Sequence, residues 1–207
     1  MSGQVVAIDG PAGSGKSTVA KSLATQLGWS FLDTGAMYRA VTLVALERGL
    51  SLGDQEAVAD LARSLVINTL PRVTVDGRDI EDEIRTETIN IGVSVVAANP
   101  LVRETMVKRQ REIAAAQPHG TVVEGRDITT VVFPNASLKI FLTASLDERV
   151  LRRGEEGADS VARRDDADSN RAASPLRQAS DALVVDTTHL SVEDVVQEII
   201  RCLKNQR

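Results

Sequence analysis

The sequence predicts an α/β domain, a five-stranded parallel sheet with helices on both faces, carrying a small antiparallel insert and a lid. Three observations point there. Five short apolar runs alternate with stretches whose apolar residues recur at helical spacing, the pattern of a parallel sheet with crossover helices. A Gly-x-x-x-x-Gly-Lys-Ser loop joins the first run to the first helical stretch. An Asp76-Gly77 dipeptide beside the alternating Val73-Thr74-Val75 interrupts the series once, as a two-residue hairpin would. The sequence leaves the strand order open; phosphate-loop proteins of this size suggest 2-3-1-4-5 by analogy.

The first strand is Val5-Val6-Ala7-Ile8, and the loop Gly10-Pro11-Ala12-Gly13-Ser14-Gly15-Lys16-Ser17-Thr18 follows it. Glycines let the backbone turn tightly and bring its N–H groups against phosphate oxygens. Lys16 reaches the terminal phosphates, and the Ser17 hydroxyl suits a magnesium ion. Val19, Leu23 and Leu27 then mark one face of a helix whose N-terminus favours anions. A second strand is expected at 29–32, ending at Asp33-Thr34-Gly35, with a helix from Ala36 capped near Gly49. Thr34, Tyr38 and Arg39 therefore sit where a strand gives way to a helix, the end of an open α/β sheet at which ligands gather.

A helix is predicted over 54–65, followed by the insert between about 66 and 85. A helix over 88–98 is broken at Asn99-Pro100, and the next runs to about 116 with Pro100 in its first turn. Ser94 and Arg103 belong to this pair. The strand at 121–124 ends in Gly125-Arg126-Asp127, and a fourth runs over 138–143. Ser145-Leu146-Asp147-Glu148 has capping-box spacing. The stretch from about 152 to 170 is charged or small throughout, either a solvated loop or a lid whose arginines close on phosphates. The fifth strand is expected at 182–185, and Ser191 to Asp194 again has capping-box spacing before a last helix facing inward with Val192, Val195, Val196, Ile199, Ile200 and Leu203.

The bulk numbers exclude several classes. At 207 residues the chain makes one domain or a domain with small insertions. Five aromatic residues are too few for a base-stacking platform, and a net charge of −5 gives no global field for a polyanion, so no nucleic-acid partner is expected. The single cysteine excludes an intrachain disulfide, and two isolated histidines make a zinc site unexpected. No signal peptide or apolar run of roughly 18 residues is visible, so the expectation is a cytoplasmic protein with no membrane partner.

The loop alone implies a nucleoside triphosphate, not a reaction. A guanine-reading Asn-Lys-x-Asp motif is absent from the sequence. Arg39, Arg126 and Arg171 come from three distant segments, each beside an expected strand end or the lid, and arginine's planar fork pairs with phosphate oxygens. Their convergence would imply an acceptor that itself carries phosphate. Such an acceptor is already ionised near neutral pH, since its second pKa is ~6, and needs no general base. Another phosphate-loop small-molecule kinase, or a nucleotide-binding regulator without catalysis, are the alternatives.

The motifs Ile8-Asp9-Gly10-Pro11-Ala12-Gly13-Ser14-Gly15-Lys16-Ser17, Asp33-Thr34-Gly35-Ala36-Met37-Tyr38-Arg39, Glu124-Gly125-Arg126-Asp127, Thr130-Val131-Val132-Phe133-Pro134, Arg164-Asp165-Asp166, Asn170-Arg171-Ala172 and Pro175-Leu176 occur in the order seen in bacterial cytidylate kinases, and the chain resembles that family over nearly its whole length. The resemblance implies transfer of the γ-phosphoryl of Mg-ATP to CMP or dCMP. It implies that Ser94, Arg103 and Asp127 read cytosine, that Arg164 and Asp168 hold the sugar, and that Arg39, Arg126 and Arg171 hold the acceptor phosphate with Thr34 and Tyr38 nearby. Lys16, Arg126 and Arg153 (or Arg152) would then serve the transferring group, with a monomer as the working form. Asp127 could alternatively be a carboxylate tied to Arg126 for structure. The chain departs from the family in three places. Only ten residues separate Arg153 from Arg164, which implies a trimmed lid or a missing mobile piece; Thr129, whose β-branch constrains the backbone, stands where the family generally has glycine; and the hairpin insert is short.

Overall fold

The computed structural model describes residues 4–154, 158, 165–166 and 174–205. The chain divides into two compact units, Met1–Phe31 with Ile113–Arg207, and Leu32–Glu112.

The parallel sheet has the order β2-β6-β1-β7-β8, where β1 is Val5–Asp9, β2 Ser30–Asp33, β6 Thr121–Glu124, β7 Leu138–Thr143 and β8 Leu183–Asp186. In core-strand numbering this is 2-3-1-4-5. Registers are tight: Ile8 lies opposite Glu124 on one side and Ile140 on the other, and Leu142 lies opposite Val185. The strands therefore end on a common edge, where Asp9 and Glu124 are the last residues of their strands. Helix α1 (Lys16–Leu27) and the C-terminal helix α7 (Val192–Asn205) cover one face, packing Val19, Leu23, Val196 and Ile199 on Val6, Ile8, Val122, Ile140 and Leu142. Ala7 and Val123, which alternate to the other face, are also fully buried. Two-sided burial explains why these strands read as continuous apolar runs.

Helix α6 (Leu146–Arg153) begins at Ser145, whose side chain accepts from the Glu148 N–H. At the start of α7 the box is reciprocal: Ser191 Oγ accepts from Asp194 N, and Asp194 Oδ2 accepts from Ser191 N. Between β6 and β7, residues Ile128–Val132 form a turn of π-helix that the sequence pattern does not announce.

In the second unit, α2 (Thr34–Glu47) starts two residues before the expected Ala36, because the Asp33 carboxylate accepts from Ala36 N at 2.9 Å and so fixes the cap at Asp33. Helix α3 (Gln55–Ser64) is capped in the same way by Asp54. Helices α4 (Glu87–Ala98) and α5 (Pro100–Ala115) meet at Asn99, as expected from Asn99-Pro100. The hairpin joins β4 (Thr74–Val75) to β5 (Arg78–Asp79), with positive φ at both Asp76 and Gly77. A third strand, β3 (Ile67–Asn68), pairs antiparallel with β4. Two residues are too few for a legible alternation, and the Leu70-Pro71-Arg72 segment hides the link.

Strands β2 and β8 each run one residue beyond the expected ends, to Asp33 and Asp186. Both additions are polar residues at strand carboxyl ends, where hydrophobicity is a poor guide.

Candidate functional site

The site begins where β1 stops. Gly10 turns at φ 153°, and a Cβ there would lie 2.1 Å from the Leu142 carbonyl oxygen. Only glycine can pass so close to β7. Gly15 adopts the left-handed conformation at the N-cap of α1. The loop between them is therefore pinned by its backbone, and its N–H groups gather at a helix N-terminus. Lys16 is buried and folds back over the loop, donating to the Pro11 carbonyl at 2.7 Å.

Two acidic side chains of the sheet edge engage this region. Ser17, exposed on α1, donates its hydroxyl to Glu124 Oε1 at 2.5 Å. Asp9 is fully buried. Its Oδ1 accepts from Ile128 N at 2.8 Å, and its Oδ2 from Thr129 N at 2.7 Å and Thr129 Oγ1 at 2.6 Å. Burial pushes the Asp9 carboxyl above its ordinary range, against those three donors, which pull it down. Asp127, just before the clasped residues, is itself buried. Arg126 is partly buried and donates to the Gly125 carbonyl at 3.3 Å.

Beyond the loop, Arg149 of α6 donates to the Ala12 carbonyl at 3.2 Å and ion-pairs with Asp165, while Asp165 Oδ1 accepts from Ala12 N at 3.1 Å. The sequence reading missed Arg149, since a single arginine on an amphipathic helix has the look of a solvated charge. Arg152, one of the two lid-root arginines, is committed elsewhere. It donates to Glu148 at 2.9 Å, to the Thr187 hydroxyl at 2.9 Å and to the Thr187 carbonyl at 2.7 Å. The Thr187 hydroxyl in turn donates to the Ser14 carbonyl at 3.2 Å. Arg152 thus ties α6 to the segment after β8. Arg153, at the end of α6, is partly buried.

In the second unit, Thr34 and Tyr38 lie buried one turn apart on α2, beside Arg39. Arg39 donates to the Ile84 carbonyl at 3.0 Å and to Asn90 Oδ1 at 2.5 Å. Asn90 and Ser94 stand one turn apart on α4, so Ser94 shares the helix face that meets Arg39. Arg103, on the first turn of α5, is buried. Asn90 was not legible as a site residue, because no motif contains it. Arg39 belongs to one unit and Arg126 and Asp127 to the other. Arg164, Asp168 and Arg171, and with them most of the expected lid, lie outside the described residues.

Three kinds of comparison bear on this arrangement. The family model for cytidylate kinase matches residues 6–205. A cytidylate kinase of Geobacillus kaustophilus is 48% identical, over 98% of this chain and 96% of its own length. That of Caldanaerobacter subterraneus is 46% identical over 96% and 94%, and that of Bacillus subtilis 44% over 97% and 96%. Among solved structures, a shikimate kinase from Acinetobacter baumannii superposes with a TM-score of 0.51 at 15% identity, covering 99% of this chain and 95% of that one. A gluconokinase from Sinorhizobium meliloti does so with 0.53 at 15%, covering 98% and 92%. These distant structures share the fold.

Proposed function

We propose, because this chain belongs to the cytidylate kinase family, that it transfers the γ-phosphoryl of Mg-ATP to CMP or dCMP, giving the diphosphate and ADP. That it is an ATP-dependent nucleoside monophosphate kinase follows from the family; the pyrimidine acceptor is the proposal. The observation that carries it is the double use of β6. Its last residue, Glu124, engages Ser17 beside the phosphate loop, and three residues later comes the buried carboxylate of Asp127. A carboxylate accepts from the exocyclic N4 amine of cytosine, whereas uracil presents a carbonyl there.

On this reading the loop 10–18 binds ATP, and Lys16 and Arg153 neutralise charge on the transferring group. Arg39, Arg126 and Arg171 grip the acceptor phosphate, with Thr34 and Tyr38 close by. Ser94 and Arg103 complete the cytosine site, and Arg164 and Asp168 hold the sugar. The acceptor phosphate attacks as the dianion it already is, so the residues position and neutralise and no general base is needed. The donor set fits magnesium. The Ser17 oxygen, donating its proton to the Glu124 carboxylate, keeps its lone pairs for a hard cation. Magnesium would arrive with ATP and supply charge neutralisation on its phosphates. The protein is further proposed to work as a cytoplasmic monomer on small molecules alone; among the described residues no helix is long and apolar enough to cross a membrane.

An ADP-release assay with Mg-ATP over CMP, dCMP, UMP, AMP and GMP tests the reading. The expected outcome is turnover with CMP and dCMP well above the ATP-only background. Preference for a purine monophosphate, or no stimulation by CMP, would overturn it.

A further inference from the structure

We propose that Asp9 and Thr129 are positioning residues for the acceptor base. Their clasp holds the start of the π-helical turn so that Asp127 meets cytosine in one fixed pose. This rests on the reading of Asp127 as the cytosine-facing carboxylate.

The geometry carries the proposal. Asp127 stands at the N-cap of the turn formed by Ile128–Val132, yet its side chain does not cap it. An aspartate at that position ordinarily turns back to accept from the first N–H groups of its own helix. Here that task belongs to Asp9, which is 119 and 120 residues away in sequence and takes the N–H groups of Ile128 and Thr129 on separate oxygens. The turn closes behind them: Val132 N donates to Asp127 O at 3.2 Å, and Phe133 N to Ile128 O at 2.7 Å. Both hydrogen bonds span five residues, and single π-turns of this kind recur at functional sites. The backbone on the C-terminal side of Asp127 is thereby fixed to the strand that leads directly into the phosphate loop. A shift of the turn would move Asp127 relative to β1, while Gly10 stays held against β7.

Thr129 adds a third donor. Its hydroxyl, buried with the rest of the side chain, reaches Asp9 Oδ2 at 2.6 Å. Among the contributions that oppose the burial of the Asp9 carboxyl, this hydrogen bond is the largest. The β-branched side chain also narrows the local backbone.

The test is steady-state kinetics of wild type, Thr129→Val, Thr129→Ser and Asp9→Asn with Mg-ATP and CMP, each varied at saturation of the other. Valine fills the space and deletes the donor. Thr129→Val is expected to raise KM for CMP about tenfold, the size of one hydrogen bond to a charged acceptor, with KM for ATP changed less than about twofold. Thr129→Ser is expected to keep the wild-type KM. Asp9→Asn sets an amide N–H₂ against a donor and is expected to raise KM for CMP by about tenfold or more. If Thr129→Val, or the serine control, raises both KM values alike, or if Thr129→Val leaves KM for CMP unchanged in an active enzyme, the positioning role is wrong. Should Asp9→Asn not fold, the valine–serine pair decides alone. A wild type that does not use CMP overturns the pyrimidine reading, and this inference with it; a wild type that does, beside an unaltered Thr129→Val, overturns the inference only.

Discussion

Ser17 Oγ and Glu124 Oε1 lie 2.5 Å apart, across 107 residues of sequence, with the hydroxyl donating to the carboxylate. The bond joins the first turn of α1 to the carboxyl end of β6 and fixes which way the Ser17 lone pairs face. If Ser17 holds the ATP-borne magnesium, Glu124 orients that ligand from behind. Glu124→Gln keeps an acceptor but loses the charge. It is expected to lower kcat about 10- to 100-fold, the range seen when groups behind a metal ligand are altered. Half-maximal activity should also need more magnesium. A magnesium titration at saturating ATP reads both, and an unshifted midpoint would show that Glu124 serves the fold alone.

Arg39 and Asn90 give a second prediction. The Asn90 amide oxygen accepts from the Arg39 guanidinium at 2.5 Å, and the Ile84 carbonyl holds the same nitrogen at 3.0 Å. Two acceptors on one Nη fix the plane of the guanidinium fork. If that fork grips the acceptor phosphate, Arg39→Met should lower kcat/KM for CMP by about 100-fold, corresponding to loss of one or two charge-assisted hydrogen bonds. Asn90→Ala should raise KM for CMP several-fold and leave KM for ATP alone. A variant at Asn90 that loses thermal stability with no change in KM would make the pair structural.

Glycines at the loop separate steric need from conformational preference. An added Cβ at Gly10 would sit 2.1 Å from a backbone oxygen of β7, and neither backbone can yield cheaply. At Gly28, the C-cap of α1, φ is 65° but no atom lies within 4 Å of the added Cβ. Gly10→Ala should therefore cost about 3 kcal/mol or more, lowering Tm by roughly 10 °C in a chain of this size, and should abolish ATP binding. Gly28→Ala should cost about 1 kcal/mol, the penalty of a left-handed non-glycine residue, with kinetics unchanged. Calorimetry and nucleotide titration of the two variants distinguish them. Equal losses would mean that the tight passage beside β7 is not what requires glycine.

Those two glycines also mark how far sequence reasoning reaches. Local signals were legible: the apolar runs of β1, β6 and β7, the Ser191–Asp194 box, the Asn99-Pro100 break and the Asp76-Gly77 turn all leave their cause within a few residues of their effect. The strand order suggested by analogy, 2-3-1-4-5, is the one found. What stayed hidden is pairing at a distance. Nothing near Asp9 announces Ile128 and Thr129, nothing near Ser17 announces Glu124, and Asn90 and Arg149 stand in helices whose periodicity already accounts for them. Thr129 was legible as a β-branched departure from its family, but the partner of its hydroxyl was not. The hydroxyl's partner is set by sheet register, which the sequence does not encode locally.

Lys139 carries the last prediction. It occupies β7, the strand beside β1, opposite Ala7, and it is buried there. Its ammonium donates to both oxygens of Asp181, at 3.0 and 2.8 Å, and Asp181 is otherwise exposed. Removing only the carboxylate leaves a buried cation without its counter-charge, which costs more than removing the cation and leaving an apolar chain in its place. Asp181→Asn should lower Tm more than Lys139→Met does. The pair has a pH signature as well. The Lys139 hydrogen bonds hold the Asp181 carboxyl below its ordinary range, so over that interval the unfolded chain takes up a proton that the folded chain refuses. The pair's contribution is then fully present above about pH 5 and lost as the pH falls through the depressed value. Lys139→Met abolishes the depression. The stability difference between wild type and Lys139→Met, from urea unfolding at pH 7, 5, 4 and 3.5, should hold steady down to about pH 5 and then move against the wild type. A difference that stays flat over the whole range would mean that Asp181 titrates as it does in the unfolded chain, and that the buried ammonium is held by something other than this carboxylate.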